Sequence, residues 1–281
     1  MSQSTFLVIG ATGKTGRRIV QRLQAQGEAV RAVSRGSAPA FDWEQPEHWL
    51  PALSGIEVAY ISYYPDLAAP GSQEAIAELI RQAKTAGVRK LVLLSGRGEQ
   101  NAERCEQLVR DSGLAFTLIR ASWFYQNFSE GHLLESVNSG LVALPAGEVR
   151  EPFVDVDDIA DVAVAAMRDD RHNGELYEVT GPRLLTFHEA VAEIAAVTGK
   201  PLQYVPITLA QFHAGLTASV DAPTADLLTS LCEEVFDGRN EALADGVGRA
   251  LGRPPLDFGA FCRDRAAAGV WRATAAPAVN P

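Results

Sequence analysis

A glycine-rich stretch near the amino terminus, VIGATGKTGRR at residues 8–18, could hold a phosphate group in either of two ways. A loop for nucleoside triphosphates needs a further glycine five places before its Gly-Lys-Thr, so that consecutive backbone N–H groups surround the phosphate. Val8 occupies that place, and a β-branched residue inside a strand cannot supply the turn. The spacing Gly10-x-x-Gly13-x-x-Gly16 instead fits a wider-spaced relative of the dinucleotide-binding fingerprint, which we favour.

Each glycine of this motif has a distinct predicted role. Gly10 lets the chain turn sharply after a strand, Gly13 lacks the Cβ that would block a pyrophosphate, and Gly16 lets the next helix lie close to the strand. The backbone N–H groups and the dipole of that helix would then face the anion. The context agrees, because an apolar run precedes the motif and Ile19 and Leu23 follow at helical spacing.

The residues after the next strand-like run indicate which dinucleotide binds. NAD usually requires an acidic residue there, to accept hydrogen bonds from the free ribose hydroxyl. This chain has Ser34 and Arg35 instead. A guanidinium suits a 2′-phosphate, Ser34 can add a hydroxyl group, and Lys14 and Arg17 of the glycine loop can add positive charge. Although Arg35 could be an ordinary solvated turn residue, we expect NADP(H) as the cofactor in preference to NAD.

Apolar strand-like runs alternate with helical stretches over the first two thirds of the chain. Such alternation predicts a parallel sheet with right-handed crossovers and helices on both faces. The ligand then belongs at the carboxyl ends of the strands. The strand-like runs are 5–10, 29–35, 58–63, 90–96, 115–122 and 175–181, and two of the intervening helices are predicted at 74–87 and 101–113.

After residue 181 the pattern changes to helices separated by Pro and Gly. The stretch Thr186-Phe-His-Glu189 is a capping box, which predicts a helix start, and a short strand is possible at 203–205. We therefore predict an α/β Rossmann fold, a doubly wound parallel sheet with a smaller, mainly helical C-terminal lobe for the substrate. The predicted division is 1–181 for the core, with 129–150 contributing to the substrate cleft, 182–271 for the lobe and 272–281 for a disordered tail.

Composition excludes several classes of function. With 281 residues, a formal charge of −10 and no run of Lys or Arg, the chain is not expected to bind nucleic acid. Its 3 cysteines and 5 histidines show no ligand spacing, so neither a metal site nor a disulfide framework is predicted. No apolar run is long enough for a membrane helix, and a strand begins too early for a signal peptide, so we expect no membrane association and a cytoplasmic location.

The ordered set of motifs along the chain resembles the NmrA-like family of atypical short-chain dehydrogenases/reductases. The resemblance covers nearly the whole chain and rests on GATGKTGRR, the Ser-Arg pair, LVLLSGRG, SGLAFTLIRASWFYQNF, EPFVDVDDIADVA, LYEVTGPRLLTFHEAV and ALGRPPLDFGAFCRDRAAAGVW. It implies a Rossmann core, a small substrate lobe and NADP in the cleft. Relatives include quinone, isoflavone-type and dye reductases, and also proteins that sense NADP without turnover.

The resemblance also implies cofactor-binding residues in this sequence. The glycine loop contributes Gly10, Thr12, Gly13, Thr15 and Gly16, and the end of the second strand-like run contributes Arg35. Further cofactor contacts are implied at or beyond other strand ends, namely at Asp42, Ser62, Ser95 and Ser122.

One departure from the wider superfamily bears on the chemistry. Its reductases use a Ser at a strand end with a Tyr-x-x-x-Lys on the next helix, and the Lys lowers the pKa of the Tyr so that it can protonate a carbonyl oxygen. Ser95 stands in the first place, but the next helix carries neither Tyr nor Lys. Quinones, activated double bonds, iminium groups and azo or dye acceptors take hydride without a strong acid, so the expected substrate is a small conjugated acceptor.

Aromatic residues after two of the strand-like runs are the candidates for a flat substrate-binding wall. A ring with a polar tip is favoured at a cleft, whereas plain Phe more often packs in a core. We assign substrate binding to the following residues, of which the tyrosines are also the candidate catalytic groups: Tyr64, Trp123, Tyr125 and Phe128. Core packing is the alternative for each of these residues, and it carries most weight for Phe128. Asp155, Asp157 and Asp158 are interpreted as caps of a helix starting near Ile159.

The sequence leaves two classes of function open. The favoured one is an NADPH-dependent reductase of a small conjugated acceptor. The alternative is an NADP(H)-responsive sensor without a substrate, acting through a protein partner. A homodimer is possible in either case.

Overall fold

The computed structural model describes residues 6–271 of the chain. These residues form two compact units, each assembled from several segments. The first contains the chain up to Ser122 together with Val156–Thr180 and Leu243–Pro255. The second contains Trp123–Asp155, Gly181–Ala242 and the chain from Leu256. The tail 272–281, for which the sequence predicts disorder, lies outside the described residues.

Strands and helices alternate along most of the chain. The strands are β1 (Phe6–Ile9), β2 (Val30–Val33), β3 (Val58–Ile61), β4 (Lys90–Gly96), β5 (Ala115–Ala121), β6 (Leu141–Leu144), β7 (Arg150–Glu151), β8 (Glu175–Val179), β9 (Leu185–Thr186) and β10 (Gln203–Pro206). The helices are α1 (Lys14–Ala25), α2 (Leu50–Leu53), α3 (Ser72–Ala86), α4 (Gln100–Arg110), α5 (Asn127–Glu130), α6 (Leu133–Ser139), α7 (Val156–Arg168), α8 (Phe187–Thr198), α9 (Leu209–Leu216), α10 (Ala222–Val235), α11 (Gly246–Leu251) and α12 (Phe258–Ala267). Short 3-10 turns lie at Pro46–His48 and Asp170–His172.

The first unit is built on a parallel sheet whose strand order is β2-β1-β3-β4-β5-β8. Its strands coincide with the apolar runs of the sequence, so the predicted doubly wound α/β fold is confirmed. From β1 the chain proceeds to β2 on one side and then to β3, β4, β5 and β8 on the other. The order therefore reverses between β1 and β3, and in open α/β sheets ligands bind in the crevice at the carboxyl ends of such strands.

Helices cover both faces of this sheet. α3 and α4 pack against each other, and Ile76 and Val109 from these helices share one apolar cluster with Leu7, Leu93 and Leu118 of the strands. α1 packs against α7, which also contacts β3, β4 and β5. Because the buried residues of α1 and α7 lie outside that cluster, these helices cover the opposite face.

The second unit is mainly helical and carries two small sheets. β10 pairs in parallel with β6, and β7 pairs with β9 in the antiparallel sense. The short strand expected at 203–205 is therefore confirmed, whereas β6, β7 and β9 were not predicted. Thr186 caps α8 through both hydrogen bonds of a capping box with Glu189, as the sequence predicts. The core of this unit is an aromatic cluster that includes Tyr125, Phe128 and Phe258.

The observed division differs from the single boundary expected near residue 181. Residues 123–155 belong to the second unit, and 243–255 belong to the first. The second difference has a clear packing reason. Thr180 Oγ1 donates a hydrogen bond to the carbonyl of Ala244 and accepts one from its N–H, and Gly246 at the start of α11 lies directly on the backbone of Glu178 in β8.

Within residues 6–271, no helix is long and apolar enough to cross a bilayer. In the same residues, no group of three or more His, Cys, Asp or Glu side chains is placed to hold a metal ion. Cys105, Cys232 and Cys262 are buried free thiols. Burial raises the pKa of the Cys232 thiol to about 12, so this group stays protonated at neutral pH.

We expect Gly246→Ala to destabilise the first unit. A Cβ at this position would lie 2.2 Å from the carbonyl oxygen of Glu178, so α11 would have to move away from β8. Overpacking of this kind typically costs about 1–3 kcal/mol of unfolding free energy. Thermal or urea unfolding followed by circular dichroism measures the loss.

Gly248→Ala is the matched control in the same helix. Its nearest neighbouring atom would be 4.0 Å from the new Cβ, so we expect no loss and a gain of up to about 1 kcal/mol from helix propensity. Equal stability of the two variants would contradict the packing role of Gly246.

Candidate functional site

The glycine loop joins the carboxyl end of β1 to the start of α1. Gly10 turns the chain with φ +77°, and the N–H of Gly13 donates a hydrogen bond of 2.9 Å to the carbonyl of Gly10. Gly13 is the N-cap residue of α1 and has no side chain to cap the helix. The amino end of α1, with the positive end of its dipole, is thus presented at the switch point of the sheet.

The three glycines differ in what surrounds them. A Cβ on Gly16 would lie 2.2 Å from the carbonyl oxygen of Gly10, so α1 approaches β1 too closely for any other residue. A Cβ on Gly10 would lie 3.2 Å from Cβ of Ser62, which follows β3. A Cβ on Gly13 would meet only the carbonyl oxygen of Gly10, at 3.2 Å. Gly13 is otherwise open, as a residue beside a bound pyrophosphate has to be.

The threonines of the loop have different surroundings. Thr12 is exposed next to Gly13, whereas Thr15 is buried. The hydroxyl of Tyr60 donates a hydrogen bond of 2.9 Å to Oγ1 of Thr15, and burial raises the pKa of Tyr60 far above its usual value. This contact ties α1 to β3. The geometry gives Thr15 a role in holding the helix, while Thr12 faces outward at the loop.

Positive charge accumulates beside the loop. Burial lowers the pKa of Lys14, and the neighbouring cations of Arg17 and Arg18 lower it further. Arg18 Nη1 donates to the carbonyl of Lys14 at 2.9 Å, which keeps this guanidinium close. Arg18 also forms an ion pair with Asp157, at 3.3 Å. A cationic side chain directly after Gly13, as Lys14 provides, suits a phosphate group.

The loop after β2 is fixed by hydrogen bonds and presents Arg35 to solvent. The N–H of Ser34 donates to Oγ of Ser37 at 2.9 Å, and the N–H of Phe41 donates to the carbonyl of Ser34, also at 2.9 Å. Arg35 makes no ion pair with any residue in 6–271, and its guanidinium carbon lies 5.4 Å from the centre of the Tyr64 ring. Arg35 is thus available to an anion.

Asp42 begins a turn next to an aromatic cluster. Its carboxylate accepts a hydrogen bond from the N–H of Glu44, and its carbonyl accepts one from the indole N–H of Trp49 at 2.5 Å. The rings of Trp43 and Tyr63 are 4.7 Å apart in this cluster. These contacts fix the loops that follow β2 and β3.

The three serines at strand ends have unequal surroundings. Ser62 lies beside Gly10, as described above. Ser95 is buried, and its hydroxyl donates a hydrogen bond of 2.7 Å to Glu106 of α4. Ser122 is also buried, and its Oγ has no hydrogen-bond partner within residues 6–271. An unpaired buried hydroxyl is costly, so Ser122 is suited to a polar ligand atom.

The carboxylate that accepts from Ser95 belongs to an ion pair that the sequence analysis missed. Arg120 of β5 donates to both oxygens of Glu106, at 2.9 and 2.6 Å, and lies near Glu178 as well. These carboxylates raise the pKa of Arg120, the largest contribution coming from the Glu106 hydrogen bonds. The hydroxyl of Ser95 is therefore committed to a buried, charge-assisted network.

A second pair that sequence analysis missed joins two carboxyl groups after β3 and β4. Asp66 and Glu99 share a hydrogen bond, and burial raises the pKa of Asp66 although the N–H of Ala68 and Glu99 lower it. The carboxyl of Glu99 also lies against Gly96, where a Cβ would be 2.1 Å from its Cδ. The residues are far apart in sequence and match no motif, so no local signal indicated the pair.

The predicted aromatic wall is divided between the two units. Tyr64 lies in the first unit and is 65% exposed. Trp123 lies in the second, where its half-buried indole packs 5.3 Å from Phe187 and 5.1 Å from Phe236. The indole N–H of Trp123 makes no hydrogen bond within the described residues.

Two members of the predicted wall occupy core positions. Tyr125 is 1% exposed, and its hydroxyl donates a hydrogen bond of 2.9 Å to the carbonyl of Leu256. Phe128 is fully buried among other phenylalanines, with Phe153 and Phe258 each 5.8 Å away. These surroundings favour the core-packing alternative for both residues.

The acidic residues around the start of α7 form ion pairs or hydrogen bonds. The helix starts at Val156, earlier than expected, so Asp157 and Asp158 lie in its first turn. Asp157 pairs with Arg22 at 2.7 Å, and Asp158 pairs with Arg253 at 2.6 Å. A carboxylate in the first turn is stabilised by the helix dipole, so these positions are explained by structure without a catalytic role.

Comparison with known proteins identifies the family. A family model described as NAD(P)H-binding matches residues 10–170, and the model of the NmrA-like family matches residues 101–243. An NAD(P)H azoreductase of Xenophilus azovorans is 30% identical over 285 residues, which cover 94% of this chain and 98% of the relative.

Two solved structures show the same fold. The triphenylmethane reductase of a Citrobacter species, complexed with NADP(H), matches with a TM-score of 0.78 at 19% identity and covers 93% of this chain and 99% of its own. NmrA, a negative transcriptional regulator in complex with NAD, matches with a TM-score of 0.70 at 16% identity and covers 95% of this chain and 98% of its own. The glycine loop, the sheet order and these matches agree, and the chain belongs to the NAD(P)H-binding, NmrA-like family.

Proposed function

We propose that this protein is an NADPH-dependent oxidoreductase that reduces a small conjugated acceptor such as a quinone, an enone, an imine or a dye-like molecule. The observation that carries the proposal is the combination of an open Gly13 at the amino end of α1 with an exposed Arg35, two residues beyond β2, that makes no ion pair within the described residues. Full-length similarity to an NAD(P)H azoreductase supports oxidoreduction.

The residues of the first unit fit the parts of the cofactor. The amino end of α1 and Gly13 suit the pyrophosphate, since backbone N–H groups and the helix dipole stabilise an anion there. Arg35 suits the 2′-phosphate, because a guanidinium can bind phosphate through two hydrogen bonds. Lys14 and the unpaired hydroxyl of Ser122 add a cation and a donor. When bound, NADPH supplies the hydride.

The surroundings of Ser95 favour an acceptor that needs no strong acid. In the wider superfamily the serine at this strand end works with a Tyr and a Lys of the next helix, but α4 carries neither residue. The Ser95 hydroxyl instead donates to Glu106, whose charge is balanced by Arg120. A conjugated acceptor spreads the negative charge that hydride transfer creates, so its reduction depends mainly on alignment.

Trp123 is the residue that we propose for contact with the acceptor. It is the half-buried member of the predicted wall in the second unit, and its ring is held by Phe187 and Phe236. A large flat ring gives apolar contact to a flat substrate at little cost in side-chain entropy.

We expect Gly13→Val to abolish NADPH binding while the protein stays folded. The backbone angles at Gly13, φ −73° and ψ 174°, are extended and open to any residue, whereas the branched side chain would fill the space in front of the helix. Gly16→Ala gives the contrast, because its Cβ would lie 2.2 Å from the carbonyl oxygen of Gly10 and the fold should lose stability. Calorimetric titration and thermal unfolding measure both effects. NADPH binding by Gly13→Val at parental affinity would show that the loop is only a turn.

We expect the parent protein to bind NADPH at least about ten-fold more tightly than NADH, and Arg35→Ala to remove most of the difference. The guanidinium contact with the 2′-phosphate is lost in this variant, while the contacts shared by both dinucleotides remain. Arg110→Ala is the matched control, since it removes the same charge and a similar stacking contact, with Phe116 at 5.6 Å. Equal affinities of the parent for the two dinucleotides would refute the NADP preference.

We expect Trp123→Ala to lower kcat/KM for the acceptor more than ten-fold, with unchanged NADPH affinity. Tyr125→Phe should change kcat/KM at most about ten-fold and should mainly reduce stability, by about 1 kcal/mol, because the carbonyl of Leu256 loses its donor. The assay follows loss of NADPH absorbance against a panel of quinones, enones, imines and dyes. If the parent protein oxidises NADPH with none of these acceptors, the result would favour the sensor over the enzyme.

A further inference from the structure

Tyr64 lies in the loop that follows β3, at the same edge of the sheet as the glycine loop. β1 has β2 on one side and β3 on the other, and all three are parallel. The loops after β2 and β3 therefore emerge at the same edge, on either side of the glycine loop that follows β1. Arg35 lies in the first of these loops and Tyr64 in the second. Their contact spans the carboxyl end of β1, where the dinucleotide fingerprint begins.

The contact itself is a cation–π interaction. The guanidinium carbon of Arg35 lies 5.4 Å from the centre of the Tyr64 ring, inside the range over which a ring face attracts a cation. Tyr64 remains 65% exposed, so the ring is not there to fill a core. No carboxylate within residues 6–271 pairs with Arg35. The ring face of Tyr64 is thus the group that limits where this guanidinium points.

Both loops that carry the pair are held in place, the first by hydrogen bonds to its backbone and the second by aromatic packing. On the β2 side, Ser37 Oγ accepts from the N–H of Ser34 and donates to the carbonyl of Pro39 at 2.6 Å. On the β3 side, the ring of Tyr63 packs 4.7 Å from that of Trp43. The remaining conformational freedom is that of the long Arg35 side chain. A flexible guanidinium loses conformational entropy when it binds a phosphate, and this loss weakens binding.

We propose that Tyr64 is a positioning residue for Arg35 at the adenosine 2′-phosphate end of the cofactor site. Its ring face holds the guanidinium over the end of β1 before the cofactor arrives and so increases discrimination between NADPH and NADH. The inference rests on the proposed function, in which Arg35 binds the 2′-phosphate. It assigns Tyr64 a role in cofactor selection, in place of the substrate-binding role that the sequence predicted.

The test uses ligands that contain only the adenosine end. Adenosine 2′,5′-bisphosphate and adenosine 5′-monophosphate are titrated calorimetrically into the parent protein and into Tyr64→Ala, Tyr64→Phe, Arg35→Ala and the Arg35→Ala, Tyr64→Ala double variant. We expect Tyr64→Ala to lower the preference for the bisphosphate about two- to five-fold, the range of an exposed cation–π contact. Tyr64→Phe keeps the ring face and should keep most of the preference. In the Arg35→Ala background, Tyr64→Ala should have no further effect on the preference.

Leu50→Ala, at another exposed residue of the first unit, is the control for general effects of truncation. Three outcomes would overturn the proposal. An unchanged preference in Tyr64→Ala means that the ring does not position Arg35. An equal loss for both ligands means that Tyr64 contacts the adenine or the 5′-phosphate instead. A parent protein without any preference for the bisphosphate would refute the assignment of Arg35, and the proposed NADPH preference would fall with it.

Discussion

The close approach of α1 to β1 is the constraint on which the site depends. Because the Gly16 position lies against the carbonyl of Gly10, the helix starts directly at the end of the strand and its amino end is fixed at the switch point of the sheet. The hydrogen bond from Tyr60 to Thr15 ties the same helix turn to β3. Together these contacts set the direction of the helix dipole without any side-chain cap, so an anion can take the place that a capping side chain would otherwise fill.

The strand order then decides which side chains share that edge. β3 lies next to β1, so Ser62 comes against Gly10, and the loops on either side of β1 bring Arg35 and Tyr64 together. The charge of the protein as a whole is −10, yet three basic residues, Lys14, Arg17 and Arg18, lie at the start of α1. An anionic cofactor is thus attracted locally in spite of the net charge, because screening limits the reach of distant surface charges to about 10 Å.

The parts of the structure that the sequence predicted are those encoded over short distances. The apolar runs of β1 to β5 and β8, the glycine spacing and the capping box at Thr186 each need only a few neighbouring residues. The features that the sequence did not predict depend on residues that are distant from each other along the chain. They are the two-residue strands β7 and β9, the pairing of β6 with β10, the placement of 243–255 in the first unit, and the Asp66–Glu99 and Glu106–Arg120 pairs. Tyr125 is a further example. Its polar hydroxyl suggested a place at a cleft, but the hydroxyl donates a hydrogen bond to the carbonyl of Leu256, which is distant in sequence, and the ring is buried.

The network around Ser95 connects the packing of the sheet to the type of chemistry. A buried carboxylate is tolerated only when its charge is paired and its oxygens are hydrogen-bonded, and Glu106 satisfies this through Arg120 and Ser95 together. Releasing the Ser95 hydroxyl to a substrate oxygen would remove one of these bonds from a buried charge, which is costly. The strand end that polarises a carbonyl in the wider superfamily is therefore used here to stabilise the core between α4 and β5. Hydride acceptors that carry their own electron delocalisation do not need that polarisation, so the hydrogen bond from Ser95 to Glu106 agrees with the conjugated acceptor that we propose.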